Sequence, residues 1–511
     1  MSGVQSRRFD SRPLVWGGVL ALLVFRVWFS AVLPMTGDEG YFVFWGDRPA
    51  GGYYDHPPMV GWWLTALLTI SRSEWFLRLP AVLLPLLLAF SAWWMVRPYG
   101  AERSRLAALL VILQPVNVWN VLITTDTPVI LFSMLSCVAY VAGLRCSMVS
   151  RRLIWHAVAG GLLGLAFLGK YFAALLGFAY LAHLLCVRRD SGRWAGFALL
   201  LLAALPAPLY NLWWNSSHCW VNILFNFMNR QAGTGFSLSN PALYVLSVLY
   251  LASPWLLFEF WRARQGLGRR VAGNSDVATV FWLAVIPLAL FGLMSLWRPV
   301  GLHWLVSFIP LLAILAAMVL SEVVVIRLVK WSALFGMLHV LLLIVILALP
   351  LAVWQGTRFS EGVNMRVHVN EVLKRVTPYA SDHRLAMESF SAAAFMAYKS
   401  GQLVSVFGSG SLYARQDDFE TDWRALDGGN VVVIRTSPGE AGDYQAYFRT
   451  VEFKDFEIEG ARFYLIIGRG FNYPVYHDKV LTRIRDRFYR IPAWLPQRGC
   501  IFCERYFPNG K

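Results

Sequence analysis

Charged residues are scarce in this sequence. Only 15% of its 511 residues are Asp, Glu, Lys or Arg, whereas 57% are hydrophobic and the mean hydropathy is +0.51. About a quarter of the residues of a soluble globular protein are charged, so this composition excludes an ordinary soluble fold. The hydrophobic residues form runs long enough to cross a hydrocarbon core of about 30 Å. We predict that these runs are helices, because lipid offers the backbone no hydrogen-bond partner.

The sequence also lacks internal repeats, low-complexity tracts and a cysteine framework. Three of the six Cys lie in or beside apolar runs, and Cys219 stands alone in a loop. Cys500 and Cys503 form a CxxC motif, but the two further ligands that a zinc site needs are not nearby. Two interpretations of the C-terminal cysteines therefore stay open, namely packing thiols and a disulfide.

The apolar runs predict an all-α polytopic membrane bundle of about 11 transmembrane helices. The predicted spans are 14–33, 76–96, 105–123, 128–144, 153–169, 171–187, 194–212, 241–261, 277–297, 302–320 and 332–353. The run from Met59 to Ile70 is too short to span, and it is typical of an interfacial or re-entrant segment. Arg26, within the first span, is expected to extend its charge to the membrane surface.

Basic residues fix the predicted orientation. Residues 1–353 hold 25 Lys and Arg against 12 Asp and Glu, and 18 of these basic residues fall on one side if the spans alternate. The basic side of a membrane protein is cytoplasmic, so the N-terminus is predicted inside and the last span is predicted to exit outside. The 18 residues are Arg7, Arg8, Arg12, Arg97, Arg103, Arg105, Arg145, Arg151, Arg152, Arg188, Arg189, Arg193, Arg262, Arg264, Arg269, Arg270, Arg327 and Lys330.

Residues 354–511 have an ordinary soluble composition, with 21 Lys and Arg against 18 Asp and Glu. A helical segment at 363–376 precedes β-like runs at 430–435 and 461–467. We therefore predict two domains. Residues 1–353 form a transmembrane module with its first outer loop at 34–58, and residues 354–511 form an extracytoplasmic α/β or α+β domain.

This orientation places unexpected polar residues at the outer face. They are Asp38, Glu39, Asp47, Asp55, His56, Asp126, Lys170, Asn215, His218, Arg230, Arg298 and His303. Ionisable groups near a bilayer are costly, so their convergence predicts a functional site. Simpler interpretations stay open for some members. Lys170 can extend to the interface, Asp126 can cap the helix that starts at Thr127 or Pro128, and His303 can be a packing residue at a helix end.

A mixed cluster of acids and bases at an outer membrane surface suits a lipid phosphate ester. A carboxylate can accept the proton of an incoming hydroxyl. Cations can hold a phosphate as it leaves with its negative charge, Arg through a bidentate fork and Lys as a point charge.

Several motifs in order resemble a known family. The stretch TGDEGYFVFWGDRPAGGYYDHPPMVGWWL resembles the first outer loop of bacterial protein-mannosyltransferase-like enzymes. These are GT-C glycosyltransferases, and they include the 4-amino-4-deoxy-L-arabinose transferases of lipid A. Further matches are RLPAVLLPLLLA (78–89), TTDTPVILF (124–132), LGKYFAALL (168–176), LYNLWWNSSHCW (209–220) and GLHWLVSFIP (301–310). The resemblance covers roughly residues 14–320 and, more loosely, the rest of the chain.

The resemblance implies an inverting transferase of the bacterial inner membrane. It would move a hexosyl or pentosyl group from a polyprenyl-phosphate donor to an envelope glycan such as lipopolysaccharide, a lipid or a protein. The family's motif implies that Asp38 is the catalytic base and that Glu39 orients it or contacts the sugar. The acidic–basic pair before the double proline is Asp55–His56 here, whereas the arabinose transferases have Lys at the second position.

The donor phosphate is predicted to bind His56 and Lys170, with Arg230 and Arg298 as further partners by position. Asp55 and Asp126 are predicted as supporting residues. Some family members need a divalent metal and others do not. Asp38, Asp55, His56 and Asp126 could supply ligands, so a divalent cation is possible and none is predicted.

Two other classes of function compete with the enzyme. Nucleic-acid binding is not expected, because the basic excess fits membrane orientation. A transporter or flippase of lipid-linked sugars is the alternative, but transporters tend to have repeated halves with sites near the midplane. A non-catalytic envelope sensor or assembly protein has no need of paired acids in the first outer loop. The sequence therefore favours the enzyme.

Overall fold

The computed structural model describes residues 11–187, 192–231, 235–357, 360–410 and 415–508, except for the side chains at 231 and 361. Arg7, Arg8, Arg188 and Arg189 of the predicted charge pattern lie outside the described residues. The chain divides into two compact units. The first comprises Met1–Val32, Ser73–Pro208 and Thr234–Leu347, and the second comprises Leu33–Arg72, Leu209–Gly233 and Ala348–Lys511. This grouping differs from the predicted division at residue 353, because the second unit also takes in the first outer loop and the segment Leu209–Gly233.

The described residues of the first unit form helices joined by loops, and all strands of the described chain lie in the second unit. Its helices are Arg12–Val32, Glu74–Leu77, Leu79–Val96, Arg97–Tyr99, Ala101–Ile112, Pro115–Trp119, Asp126–Arg145, Val149–Phe167, Tyr171–Ala174, Leu175–Cys186, Arg193–Ala204, Ser239–Ala252, Pro254–Gly273, Ser275–Met294, Leu302–Leu305, Ile309–Val319 and Glu322–Ala348. The helix Pro206–Ser217 continues from the first unit into the second.

Six helical stretches of the described chain are long and apolar enough to cross a membrane, or seven if one bent pair counts as a span. The six are Arg12–Val32, Glu74–Tyr99, Asp126–Arg145, Arg193–Ser217, Ser275–Met294 and Glu322–Ala348. Each coincides with a predicted span. The protein is therefore a multi-pass membrane protein, while the predicted total of about eleven spans stays a prediction.

Three predicted spans are interrupted. The span predicted at 105–123 ends as a helix at Ile112, and a second short helix begins at Pro115 because proline cannot continue an existing ladder of backbone hydrogen bonds. The span predicted at 302–320 contains only Leu302–Leu305 and Ile309–Val319. The segment predicted as one helix over 241–261 bends by 96° between Ser239–Ala252 and Pro254–Gly273. These departures show that hydrophobicity alone does not reveal helix breaks.

The core of the first unit surrounds the helix Ile309–Val319, in which every residue is buried. Arg26 corrects one expectation, since its side chain is only 1% exposed. Its guanidinium donates hydrogen bonds to the carbonyl oxygens of Ala81, Asn117 and Asn120 at 2.5–2.6 Å. The two Asn carbonyls flank the end of the short helix Pro115–Trp119. Arg26 therefore stabilises a helix end that would otherwise leave carbonyls unpaired.

The second unit combines short helices with one sheet. Its helices are Gly37–Gly46, Met59–Leu68, Val221–Phe227, Asn229–Gln231, Leu351–Trp354, Ser360–Val367, Val369–Val376, Thr377–Tyr379, Phe390–Ser400, Asp417–Glu420, Trp423–Leu426, Ala441–Asp443, Gln445–Tyr447, Tyr473–Tyr476, His477–Leu481, Thr482–Phe488 and Ile501–Tyr506. Its strands are β1 (His383–Met387), β2 (Ser405–Val406), β3 (Asn430–Arg435), β4 (Phe448–Ile458) and β5 (Ala461–Phe471).

Among the described residues these strands form one mixed sheet in the order β2-β1-β3-β5-β4. β1 is parallel to β2 and β3, whereas β5 is antiparallel to β3 and β4. The run Val431–Ile434 is fully buried, as expected for a strand covered on both faces. Both predicted strands are confirmed, and the predicted helix at 363–376 is divided at His368.

A disulfide joins Cys219 to Cys500 in the second unit. Cys503, the other cysteine of the CxxC motif, is a free thiol. The sequence left packing thiols and a disulfide open, and it did not identify Cys219 as a partner. The bridge closes a segment of 281 residues, and closing a long loop restricts the unfolded chain.

We expect Cys500→Ala to lower the free energy of unfolding by about 2–5 kcal/mol. Tryptophan fluorescence during denaturant unfolding in detergent would measure the change. Cys503→Ala is the matched control, since that thiol has no covalent partner and should change little. Peptide mapping without reductant should recover the linked Cys219 and Cys500 peptides. A Cys500–Cys503 linkage would contradict the assignment.

Candidate active site

The first outer loop carries a short helix, Gly37–Gly46, which we call the outer-loop helix. A capping box fixes its start. The Thr36 hydroxyl accepts a hydrogen bond from the Glu39 backbone N–H, and the Glu39 carboxylate accepts one from the Thr36 backbone N–H at 3.0 Å. Glu39 is fully buried. The structure therefore gives Glu39 a role in positioning the helix end, and a direct role in chemistry stays a prediction.

Asp38 is exposed in the first turn of this helix, beside the buried Glu39. A helix N-terminus favours a negative side chain because the backbone N–H dipoles point toward it. A second positive influence is Arg366. Burial lowers the pKa of Arg366, and the negative charge of Asp38 opposes that shift. Asp38 therefore presents an accessible carboxylate in surroundings that favour its charged form.

Two glycines let the outer-loop helix lie against the helix Phe390–Ser400, which we call the cleft helix. A Cβ added at Gly37 would lie 2.7 Å from the Ser391 Cβ, and one added at Gly40 would lie 2.9 Å from the Phe395 Cα. Both distances are too short for packed carbon atoms. The close approach of the two helices places Asp38 at its present position.

We expect Gly37→Ala to lower the free energy of unfolding by about 1–3 kcal/mol, because the added methyl overpacks this contact. Gly442→Ala is the control, since its added Cβ would meet nothing within 4 Å. Denaturant unfolding of both variants would test the expectation. Equal stability of the two variants would mean that the outer-loop helix tolerates a larger separation from the cleft helix.

The Asp55–His56 pair lies in a tight turn of the same unit. The Tyr53 backbone N–H donates to the His56 carbonyl at 3.0 Å. The Tyr41 hydroxyl donates to Asp55 Oδ1 at 3.2 Å, and His56 Nε2 lies 3.8 Å from Asp55 Oδ2. Burial, together with the Asp55 charge, raises the pKa of Tyr41 well above its ordinary value. Tyr41 therefore stays protonated and remains a donor to Asp55.

Two asparagines hold this turn from the helix Val221–Phe227. Asn222 Nδ2 donates to the Tyr53 carbonyl and Asn226 Nδ2 donates to the Asp55 carbonyl, both at 2.9 Å. Residues four apart lie on one face of a helix, so a single helix face fixes the turn. The predicted list of site residues omitted both asparagines. Their i, i+4 spacing was the only sequence signal that could have drawn attention to them.

The first unit holds a separate charged group. Lys170 Nζ donates to both oxygens of Asp126, at 2.8 and 2.7 Å, and both side chains are buried. His303 Nε2 lies 3.9 Å from Asp126 Oδ2. Asp126 is the first residue of its helix rather than the cap, which corrects one interpretation. Lys170 is buried beside a carboxylate, so its side chain does not extend to the membrane surface.

The remaining predicted residues are less enclosed. Arg230 is half-buried in the short turn Asn229–Gln231 of the second unit, and Arg298 is half-buried after the helix Ser275–Met294 of the first. His303 is exposed. Within the described residues, no group of three or more His, Cys, Asp and Glu is placed to hold a metal ion.

Sequence reasoning also missed Arg366. It lies on the helix Ser360–Val367, far from Asp38 along the chain. No motif connects the two residues, and only the folded second unit brings their charges together. Arg366 had no sequence signal that distinguished it from other surface arginines.

Comparisons with known proteins identify related chains. Residues 55–214 match the family model described as dolichyl-phosphate-mannose-protein mannosyltransferase. The lipid A galacturonosyltransferase RgtD of Rhizobium johnstonii is 29% identical over 213 residues, which cover 39% of this chain and 44% of that protein. The match with RgtD therefore spans less than half the length of that protein. Together, the family model and this relative confirm the predicted family resemblance.

The chain also shares its fold with solved structures. ArnT from Cupriavidus metallidurans bound to undecaprenyl phosphate superimposes with a TM-score of 0.63 at 16% identity, covering 89% of this chain and 98% of that one. The apo form of the same protein gives 0.61 at 15% identity, with the same coverage. At this identity the likeness shows the fold alone.

Proposed function

We propose that this chain is an inverting glycosyltransferase. It moves a sugar from a polyprenyl-phosphate donor to an envelope glycan, lipid or protein at the outer face of the bacterial inner membrane. The observation that carries the proposal is Asp38, an exposed carboxylate at a capped helix N-terminus with Arg366 nearby. A base needs an accessible, ionised carboxylate, and the protein-mannosyltransferase-like motif assigns this function to the same residue.

The reaction is a single displacement. The oxygen of an acceptor hydroxyl forms a bond to the anomeric carbon of the donor sugar, and the bond from that carbon to the phosphate oxygen breaks. Asp38 accepts the hydroxyl proton, and the phosphate leaves on the lipid with the bonding electrons. Attack opposite the departing group inverts the anomeric configuration.

Cations hold the departing phosphate. We assign this role to His56, Lys170, Arg230 and Arg298. The ammonium of Lys170 has three N–H groups, so its contact with Asp126 leaves room for a phosphate oxygen. Asp55 and Asp126 support His56 and Lys170 by holding them in place, as their distances of 3.8 and 2.7 Å suggest.

The donor and acceptor classes are supported by the relatives. ArnT, which shares the fold, has been solved with undecaprenyl phosphate. RgtD, which shares part of the sequence, is named for transfer to lipid A. Lipid A is therefore the first acceptor to test. The Cys219–Cys500 bridge supports an extracytoplasmic second unit, because disulfides persist in oxidising compartments. The basic loops support a cytoplasmic N-terminus.

The test is a transfer assay with the full chain in liposomes. Donors with different sugars on polyprenyl phosphate are supplied with lipid A or membrane extract, and free polyprenyl phosphate and labelled product are measured. We expect release that depends on both substrates, with inverted anomeric configuration by NMR. Movement of the donor across the bilayer without release would contradict the proposal and favour the flippase alternative.

A further inference from the structure

A cleft of about 270 Å³ with a mixed polar and apolar lining lies within the second unit. It lies where β1 and β3 end, beside the N-terminal ends of the outer-loop helix and the cleft helix. Gly37, Arg366, Ser391 and Ala392 are among its lining residues. Small-molecule pockets in proteins are about 300–1,000 Å³. The cleft lies just below this range, so its volume suits one sugar ring and is too small for an extended glycan.

The topology of the sheet independently marks this place as a binding position. From β1 the chain passes through the cleft helix to β2 on one side, and β3 then lies on the other side of β1. Both neighbours are parallel to β1. The strand order thus reverses between β1 and β3. Ligands of open α/β sheets bind at such a reversal, beyond the carboxyl ends of the strands.

One wall of the cleft is held rigidly. Arg435, the last residue of β3, donates hydrogen bonds to Glu388 and to the Tyr444 hydroxyl. The Tyr444 hydroxyl in turn donates to Glu388, and Tyr444 is only 1% exposed. The three side chains hydrogen-bond to one another, so this network forms a fixed wall of the cleft. Because Arg435 already pairs with Glu388, we expect another residue to recognise a charged ligand.

Arg366 is suited to that recognition. One of its N–H groups donates to the Gly362 carbonyl at 2.8 Å, within the same helix. A guanidinium carries five N–H donors and can hold a carboxylate or phosphate by two parallel hydrogen bonds. The hydroxyl-bearing residues Ser389, Ser391, Thr436 and Ser437 also line the cleft. The lining therefore suits a hydroxylated ligand with a negative charge.

We infer that this cleft is the acceptor site and that it takes a saccharide bearing a phosphate or carboxylate group. The inference rests on the proposed function, because Asp38 is the base. Arg366 holds the anionic group, and the neighbouring hydroxyl of the same sugar faces Asp38. Gly37, the residue directly before Asp38, lines the same cleft as Arg366, so one monosaccharide in the cleft reaches both side chains. Arg366 is thus a specificity-determining residue of the transfer.

Two variants of the full chain in nanodiscs test the site. Arg366→Gln removes the charge, and Ala392→Trp fills the cleft while keeping the charge. We expect both to raise the acceptor KM about tenfold or more, because a charge-assisted contact or the space for the sugar is lost. The donor KM should stay within about twofold. Arg375→Gln is the matched control, on the next helix and exposed outside the cleft.

Binding is measured separately by ligand-observed NMR without donor. The probes are N-acetylglucosamine 1-phosphate, galacturonate and neutral N-acetylglucosamine. We expect wild type to bind at least one anionic probe more tightly than the neutral probe, and Arg366→Gln to lose that preference. The two anionic probes distinguish a phosphate from a carboxylate group.

The outcomes separate this inference from the proposed function. Active wild type with an unchanged acceptor KM in both variants would overturn the acceptor site and leave the transferase intact. Equal binding of all probes to wild type and Arg366→Gln would also overturn it. Absence of transfer by wild type with any donor would instead overturn the proposed function. Arg366→Lys should recover part of the acceptor affinity, which a role in folding alone does not predict.

Discussion

Asp38→Asn is expected to lower the rate of sugar transfer by about 10²–10⁴-fold, the usual contribution of a general base. The Asn amide has nearly the shape of the Asp carboxylate, but it cannot take the proton from the hydroxyl group of the acceptor substrate. Folding should be retained, because Asp38 is exposed and the capping box is made by Thr36 and Glu39. Release of polyprenyl phosphate from a saturating donor measures the rate.

Asp47→Asn provides the matched control at the other end of the same helix. Asp47 is the C-terminal cap residue, and its carboxylate pairs with Arg72 at 2.8 Å. Exposed ion pairs contribute about 0–1 kcal/mol, so this variant should transfer at close to the wild-type rate. Similar rates for Asp38→Asn and wild type would remove Asp38 from the role of base. Equal losses in both variants would indicate a general effect of charge in the loop.

Lys170→Met is expected to destabilise the first unit by about 3–5 kcal/mol, because it leaves the buried Asp126 carboxylate without its charged partner. Each side chain of the pair is 9% exposed, and both carboxylate oxygens accept from the ammonium. Denaturant unfolding in detergent measures the loss. Lys330→Met, on the exposed face of the helix Glu322–Ala348, removes the same charge without a buried partner and should change little.

The double variant Lys170→Met with Asp126→Asn separates stability from donor binding. Removing both charges of a buried pair is often close to neutral for stability, so folding should largely recover. Transfer should not recover, and the donor KM should stay raised if Lys170 holds the phosphate. A folded double variant with a wild-type donor KM would show that Lys170 serves only the ion pair.

The sequence predicted the fold class well where one strong physical signal dominated. Apolar runs such as 14–33 and 277–297 coincide with helices of spanning length, because burial in lipid permits little else. The buried run at 430–435 was likewise recognisable as a strand. The helix breaks at Pro115 and Ser253 were missed. A long apolar run does not show where the backbone hydrogen bonds of a helix are interrupted.

The candidate site was predictable only in its local parts. Asp38 and the Asp55–His56 pair stand in one outer loop, and the motif assigned them together. Glu39 was predicted to orient Asp38 or contact the sugar, and this stays a prediction. Its part in the capping box became visible only in the structure. The contact of Lys170 with Asp126 was not predicted, because it joins residues from different helices.

By itself, the sequence determined that this is a helical membrane protein with a small C-terminal sheet and a GT-C-like outer loop. Those features depend on composition and on residues close together in the chain. Only the tertiary structure decided that Cys219 pairs with Cys500, that Arg26 is buried among carbonyls, and that the charge of Asp38 acts on Arg366. Such contacts join distant segments, and a charge or a thiol is compatible with many partners until packing selects one.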